Sequence, residues 1–251
     1  TATARVRITP TTKEAGYVVN GKALAGSTYG NLFANAYSTA TGTSYLSYNP
    51  SAQGPSLPFY AAVSYETPVY NGFKAKVMSS PKSAYDASSG TFKRSAYSVT
   101  YDQGPIAVAY AQSFLNDQNA DTAGKVTLIA GSYTMGAIKV NFGQQTTKFA
   151  GAWNAANDLT VTGFGLTYTQ GNWEYNGGYT VLKDDEDSTY KTTQTAVTAR
   201  YNFSKRTSVY AGYGNGKNEG TSNKTGVVYG GSALTAAGNN SAYLVGVKHA
   251  F

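Results

Sequence analysis

From Phe59 onward, apolar and polar residues alternate in short segments, and the alternation resumes after every break. A period of two is the signature of a β-strand whose faces meet different surroundings. It predicts strands at 58–67, 73–79, 94–102, 106–114, 125–134, 138–147, 159–169, 173–182, 192–203, 207–215 and 241–251. Short breaks at Thr67–Gly72, Gln103–Pro105, Met135–Ala137, Gln170–Asn172 and Ser204–Arg206 each hold Gly, Pro, Asn or Ser, which tolerate turn dihedrals. Long breaks at 80–93, 115–124, 148–158, 183–191 and 216–240 carry most of the Asp, Asn, Ser and Gly. Short and long connections in alternation predict an antiparallel up-and-down sheet with tight turns on one rim and loops on the other. The first 57 residues differ, with one candidate strand at Ala4–Ile8 and then an irregular stretch rich in Gly, Asn, Ser, Thr and Tyr. We read 1–251 as one domain: a first strand and an inward-folded loop in 1–57, then eleven strands in 58–251.

The two faces are unlike in a consistent way. One carries Val63, Tyr65, Val99, Tyr101, Val140, Phe142, Phe164, Leu166, Tyr175 and Val197, with tyrosines close to strand ends. The other carries Ser64, Thr100, Asn141, Asn176, Thr180 and the charged residues Lys74, Lys76, Arg94, Lys139, Arg200, Lys248, Glu66 and Glu174. Charge facing lipid at mid-depth of a bilayer would cost roughly 2–4 kcal/mol, whereas a water-filled interior accepts it. Tyr and Trp near strand ends suit the interfacial belts of a membrane.

Composition agrees. Charged residues are only 13% of the chain, Tyr numbers 22 and Gly 28, and the mean hydropathy is −0.34. The chain has no run of about 18 apolar residues, which excludes a helical membrane protein and leaves a transmembrane β-barrel as the way to span a bilayer. With no cysteine there is neither a disulfide framework nor a thiolate metal site. The net charge of +7 does not gather into a run or a helix face, so nucleic acid is not an expected partner.

The segments "RYNFSKRTSVYAGYGNGKN", "GVVYGGS" and "YLVGVKHAF" resemble the last three strands of the trimeric general porins of Gram-negative β-proteobacteria. "VSYETPVYNGFKAKV" and "YSVTYDQGPIAVAYAQ" are similar to strand-turn-strand units of the same family. The resemblance covers residues 55–251 well and 1–54 loosely. It implies a barrel of sixteen strands, about twelve of them in this chain, so either four N-terminal strands are absent from this sequence, the reading we favour, or the barrel is a twelve-strand variant. It also implies an outer-membrane homotrimer in contact with lipid and lipopolysaccharide, inserted by the barrel-assembly machinery through a C-terminal signal at Phe251 and Tyr243. The inward loop would lie near Gly26–Tyr45, with Tyr29, Asn31, Phe33 and Asn35 in the constriction. Arg5 and Arg7 match a basic pair on the wall facing it. The family's loop usually carries a carboxylate, and the nearest acid here is Glu14, so a uniformly positive constriction is expected.

The expected activity is passive diffusion of small hydrophilic solutes, anions favoured, without a cofactor and without catalysis. Two other classes compete. A plugged structural or receptor barrel could bind Ca²⁺ or bridge lipopolysaccharide through Asp184, Asp185, Glu186 and Asp187, although a plain solvated loop is the stronger reading and no metal site is expected. A barrel hydrolase would need the sole histidine, His249, as its base.

Overall fold

The computed structural model describes residues 5–12, 18–19, 22–23, 59–83, 92–116, 122–149, 158–185, 189, 191–219 and 238–250. They form the strands β1 (Arg5–Thr12), β2 (Val18–Val19), β3 (Lys22–Ala23), β4 (Phe59–Glu66), β5 (Phe73–Ser83), β6 (Phe92–Gln103) and β7 (Ile106–Asn116). The chain continues with β8 (Thr122–Met135), β9 (Ile138–Phe149), β10 (Leu159–Gln170), β11 (Trp173–Asp184), β12 (Lys191–Asn202), β13 (Thr207–Glu219) and β14 (Asn239–His249). Twelve strands make one antiparallel sheet in the order β1-β4-β5 and onward sequentially to β14, while β2 and β3 pair only with each other. Among the described residues no ladder joins β1 to β14, so the sheet is not closed.

Turn chemistry sets the register. Gly104, Gly136 and Gly171 open two-residue turns with φ of 59°, 56° and 56°, the left-handed value that a type II′ hairpin needs at its first central position. At Asn71-Gly72 both residues have positive φ, 46° and 82°, as a type I′ turn requires. The β12–β13 connection is longer, and there the Ser204 hydroxyl accepts from the backbone N–H groups of Arg206 and Thr207, each at 3.1 Å.

Every predicted strand from 58 to 251 is present, but most run further toward the long connections. Strand β13 extends to Glu219 and β5 to Ser83, where polar residues occupy both faces and the alternation vanishes although the hydrogen-bond ladder continues. The first strand is Arg5–Thr12 rather than Ala4–Ile8. Its polar half hides it, as does Pro10, which lacks an N–H and is absent from the β1–β4 register. The β2–β3 hairpin was not foreseen. The proposed constriction residues Tyr29, Asn31, Phe33 and Asn35 lie outside the described residues.

The outward face carries the apolar load, with Val63, Phe73, Val108, Ile129, Phe142, Phe164, Leu166 and Val197 all exposed. Aromatic pairs line it near the short turns: Phe73–Tyr101 at 4.7 Å, Trp173–Tyr201 at 4.9 Å and Tyr201–Phe203 at 5.0 Å between ring centroids. Toward the other end the same face becomes hydrogen-bonded. Tyr97 donates to Gln112 at 2.6 Å, Gln112 to Thr127 at 3.1 Å, and Asn215 to Asn239 at 2.7 Å. An apolar belt with an aromatic margin and a polar upper limit is the exterior of a membrane barrel.

Gly171→Val should destabilise by about 1–2 kcal/mol, because a β-branched residue is forced to positive φ. Gly177→Ala, with open space around its missing Cβ, should stay within about 0.5 kcal/mol. Urea midpoints of refolding into detergent micelles measure both.

Candidate functional site

The inward face is built by the same alternation that exposes the apolar residues. In β5, Val77 faces out and the flanking Lys76 and Met78 face in. Lys74 and Glu66 form an ion pair at 2.6 Å, both partly sheltered. The pair is diagonal, because the direct cross-strand partner of Glu66 on β5 is Lys76. On the other side of Glu66 the register sets Arg5 opposite Glu66 and Arg7 opposite Ser64. Arg94 lies opposite Ser80 on β6. Strands β1, β5 and β6 thus place Arg5, Arg7, Lys74, Lys76 and Arg94 at register positions of the inward parity, with Lys74 in contact with Glu66.

A second cluster occupies β10 to β12. The Arg200 guanidinium donates to the Glu174 carboxylate, whose other oxygen accepts from Asn176 Nδ2 at 3.0 Å. Thr167 donates to Asn176 Oδ1 at 2.8 Å, and Asn176 is buried. Lys139 is the cross-strand partner of Thr167 on β9. Lys248 lies on β14 opposite Ser208, exposed near the short-turn rim. Both acids expected on this face are therefore held by a base.

Between the clusters the inner wall is lined largely by small side chains. Ala109, Ala111, Leu128, Ala130 and Val161 are buried, and so are Asn141, Gln145 and Thr180. Neither amide atom of Asn141 nor the hydroxyl of Thr180 has a hydrogen-bond partner. Sequence reasoning put Asn141 and Thr180 on this face but missed the small-residue wall, which was legible in "IAVAYAQ", where every second residue is Ala. It also missed Asp102, which shares the inward parity of Ser98 and Thr100 at the end of β6.

Other candidates fall elsewhere. The Asp185 carboxylate accepts from Thr160 at 2.9 Å, and no group of metal-ligating side chains occurs among the described residues. Glu186 and Asp187 are outside them, as is Phe251. His249 Nδ1 lies 2.9 Å from Thr207 Oγ1, its direct cross-strand partner on the outward face. That position is a rim contact between adjacent strands. Tyr243 is exposed on the same face, 5.0 Å from Tyr213.

A sequence profile of the Gram-negative porin family matches residues 15–221. The chain belongs to this family. Its strands are those of an outer-membrane β-barrel. It is 31% identical over 171 residues to the major outer membrane protein P.IB of Neisseria lactamica, a match covering 62% of this chain and 49% of that protein. The chain thus spans about half the length of that relative. The fold is similar to an anion-selective porin from Comamonas acidovorans, with TM-score 0.62, 22% identity and coverage of 84% of this chain and 65% of that one. A loop-deletion mutant of OmpT from Vibrio cholerae aligns with TM-score 0.60 and 14% identity over 89% of this chain and 68% of its own.

Glu174→Ala strands the Arg200 guanidinium in a partly buried network and should cost about 2 kcal/mol or more. Glu219→Ala removes a solvent-screened rim partner of Lys191 and Lys217 and should move the midpoint far less. The two unfolding midpoints should separate accordingly.

Proposed function

We propose that the intact protein is a water-filled channel for passive diffusion of small hydrophilic solutes and that it favours anions. The observation that supports this reading is the excess of basic residues at inward-parity positions of β1, β5 and β6, Arg5, Arg7, Lys74, Lys76 and Arg94, with Glu66 engaged by Lys74. Lysine and arginine along a narrow wall with low dielectric behind it raise the local anion concentration without holding any one ion tightly, as conduction requires. We assign the constriction to the stretch around Tyr29, Asn31, Phe33 and Asn35, on the family resemblance of that stretch. The Comamonas protein of like fold is an anion-selective porin, which agrees with this polarity.

We assign a homotrimer as the working assembly, in keeping with the trimer form of OmpT among structures of like fold. Lys125, Lys148, Lys183, Lys191 and Lys217 stand on the outward face toward the long connections, above the apolar belt. Phosphates of lipopolysaccharide would meet them there. Tyr243 and Phe251 are the proposed signal for the barrel-assembly machinery.

Reversal potentials across a KCl gradient should show anion preference in planar bilayers. Lys74→Glu combined with Lys76→Glu should move the potential toward cations, and selectivity should shrink between 0.1 M and 1 M salt as the Debye length falls from about 10 Å to about 3 Å. Cation preference in the unaltered channel would refute the reading. Recordings with no open level would favour a plugged barrel.

A further inference from the structure

The outward face is not uniformly convex. Gly177, Ala199 and Ala211 form a small-residue floor across β11, β12 and β13, and Tyr168, Tyr175 and Tyr213 rise around it. The result is a concavity of about 570 Å³ within the apolar belt. Tyr201, between this floor and the rim, is drawn toward β11 by its edge-on contact with Trp173 at 4.9 Å.

Directly below lies the β12–β13 turn with Lys205 and Arg206, both exposed. The other short turns contain no charged residue at all. Arg206 is also held in place, its Nε donating to the Ala250 carbonyl at 2.9 Å. Ala199 precedes Phe203, the first turn residue, by four positions, about 13 Å along a strand. Positive charge at the rim and an apolar trough at that depth are spaced like the phosphate and the acyl chains of one lipid.

Short turns of outer-membrane barrels face the periplasm, and we propose that this surface binds an anionic diacyl phospholipid of the periplasmic leaflet, its phosphate at Lys205 and Arg206 and one acyl chain in the trough over Gly177, Ala199 and Ala211. The inference rests on the reading of the outward face as membrane-embedded. Neutral headgroups would fill the trough equally well, so the charged turn supplies the selection. Each basic side chain at a membrane surface is worth about a fivefold change in affinity.

Native mass spectrometry of the full-length protein, titrated with phosphatidylglycerol or phosphatidylethanolamine of matched chains, tests it. Phosphatidylglycerol should be retained preferentially. Lys205→Gln should weaken it about fivefold with no effect on phosphatidylethanolamine, and Ala211→Phe should reduce retention of both lipids. Heat-modifiable gel mobility verifies that each variant is folded, and Lys205→Gln, on an exposed turn, keeps the test open should Ala211→Phe not fold. Equal retention of the two lipids by the unaltered protein would overturn the proposal. So would an Ala211→Phe variant that loses its oligomeric state while keeping phosphatidylglycerol, because the trough would then be a subunit contact. Conductance of the unaltered protein in the same preparation reports on the channel separately, so loss of the lipid site and loss of the channel reading can be told apart.

Discussion

The constraint on which everything else depends is the backbone hydrogen bond in a medium that offers no substitute for it. Each N–H or C=O left unpaired in hydrocarbon costs several kcal/mol. The chain meets that demand by pairing each strand from β4 to β14 with its sequence neighbour. Register is then strict, since a slip of one residue would turn every lipid-facing side chain into the lumen and every lysine into lipid. Glycines at the first central positions of the two-residue turns hold that register at minimal steric cost.

Once register is set, the interior follows. Val77 cannot face lipid without Lys76 and Met78 facing inward. Trp173 and Tyr175 at the rim likewise put Glu174 among Asn176, Thr198 and Arg200. Glycine also answers to close approach at one place: Tyr210 lies across Gly246 so tightly that a β-carbon there would collide with its hydroxyl. The wall is consequently shaped by side chains that are missing as much as by those that are present.

The strands and their faces were legible because lipid and water impose opposite demands on adjacent residues. Val99 and Tyr101 against Ser98 and Thr100 need no tertiary information. Strand ends were not legible, since "NGKNE" at the end of β13 has no apolar residue on either face and leaves only the backbone to define it. Ion-pair choice was also hidden. Register makes Lys76 the direct cross-strand partner of Glu66, and the carboxylate also lies 2.6 Å from Lys74 on the diagonal, a contact that strand spacing alone does not announce. The burial of Gln145 and Val161 depends on what covers the wall, which no local pattern reports.

The ladder also has a slope. Beginning at Phe73, beside the short turn, partner-to-partner steps lead through Tyr101, Val108, Gly131, Phe142 and Phe164 to Tyr179. The row then continues through Thr195 and Asn215 to Ser241, at the opposite end of β14. Such a stagger is what a tilted barrel wall requires. In an unstaggered wall such a row of partners would stay at one depth. Here it climbs, so Phe73 and Ser241 belong to one row yet stand at opposite margins of the sheet.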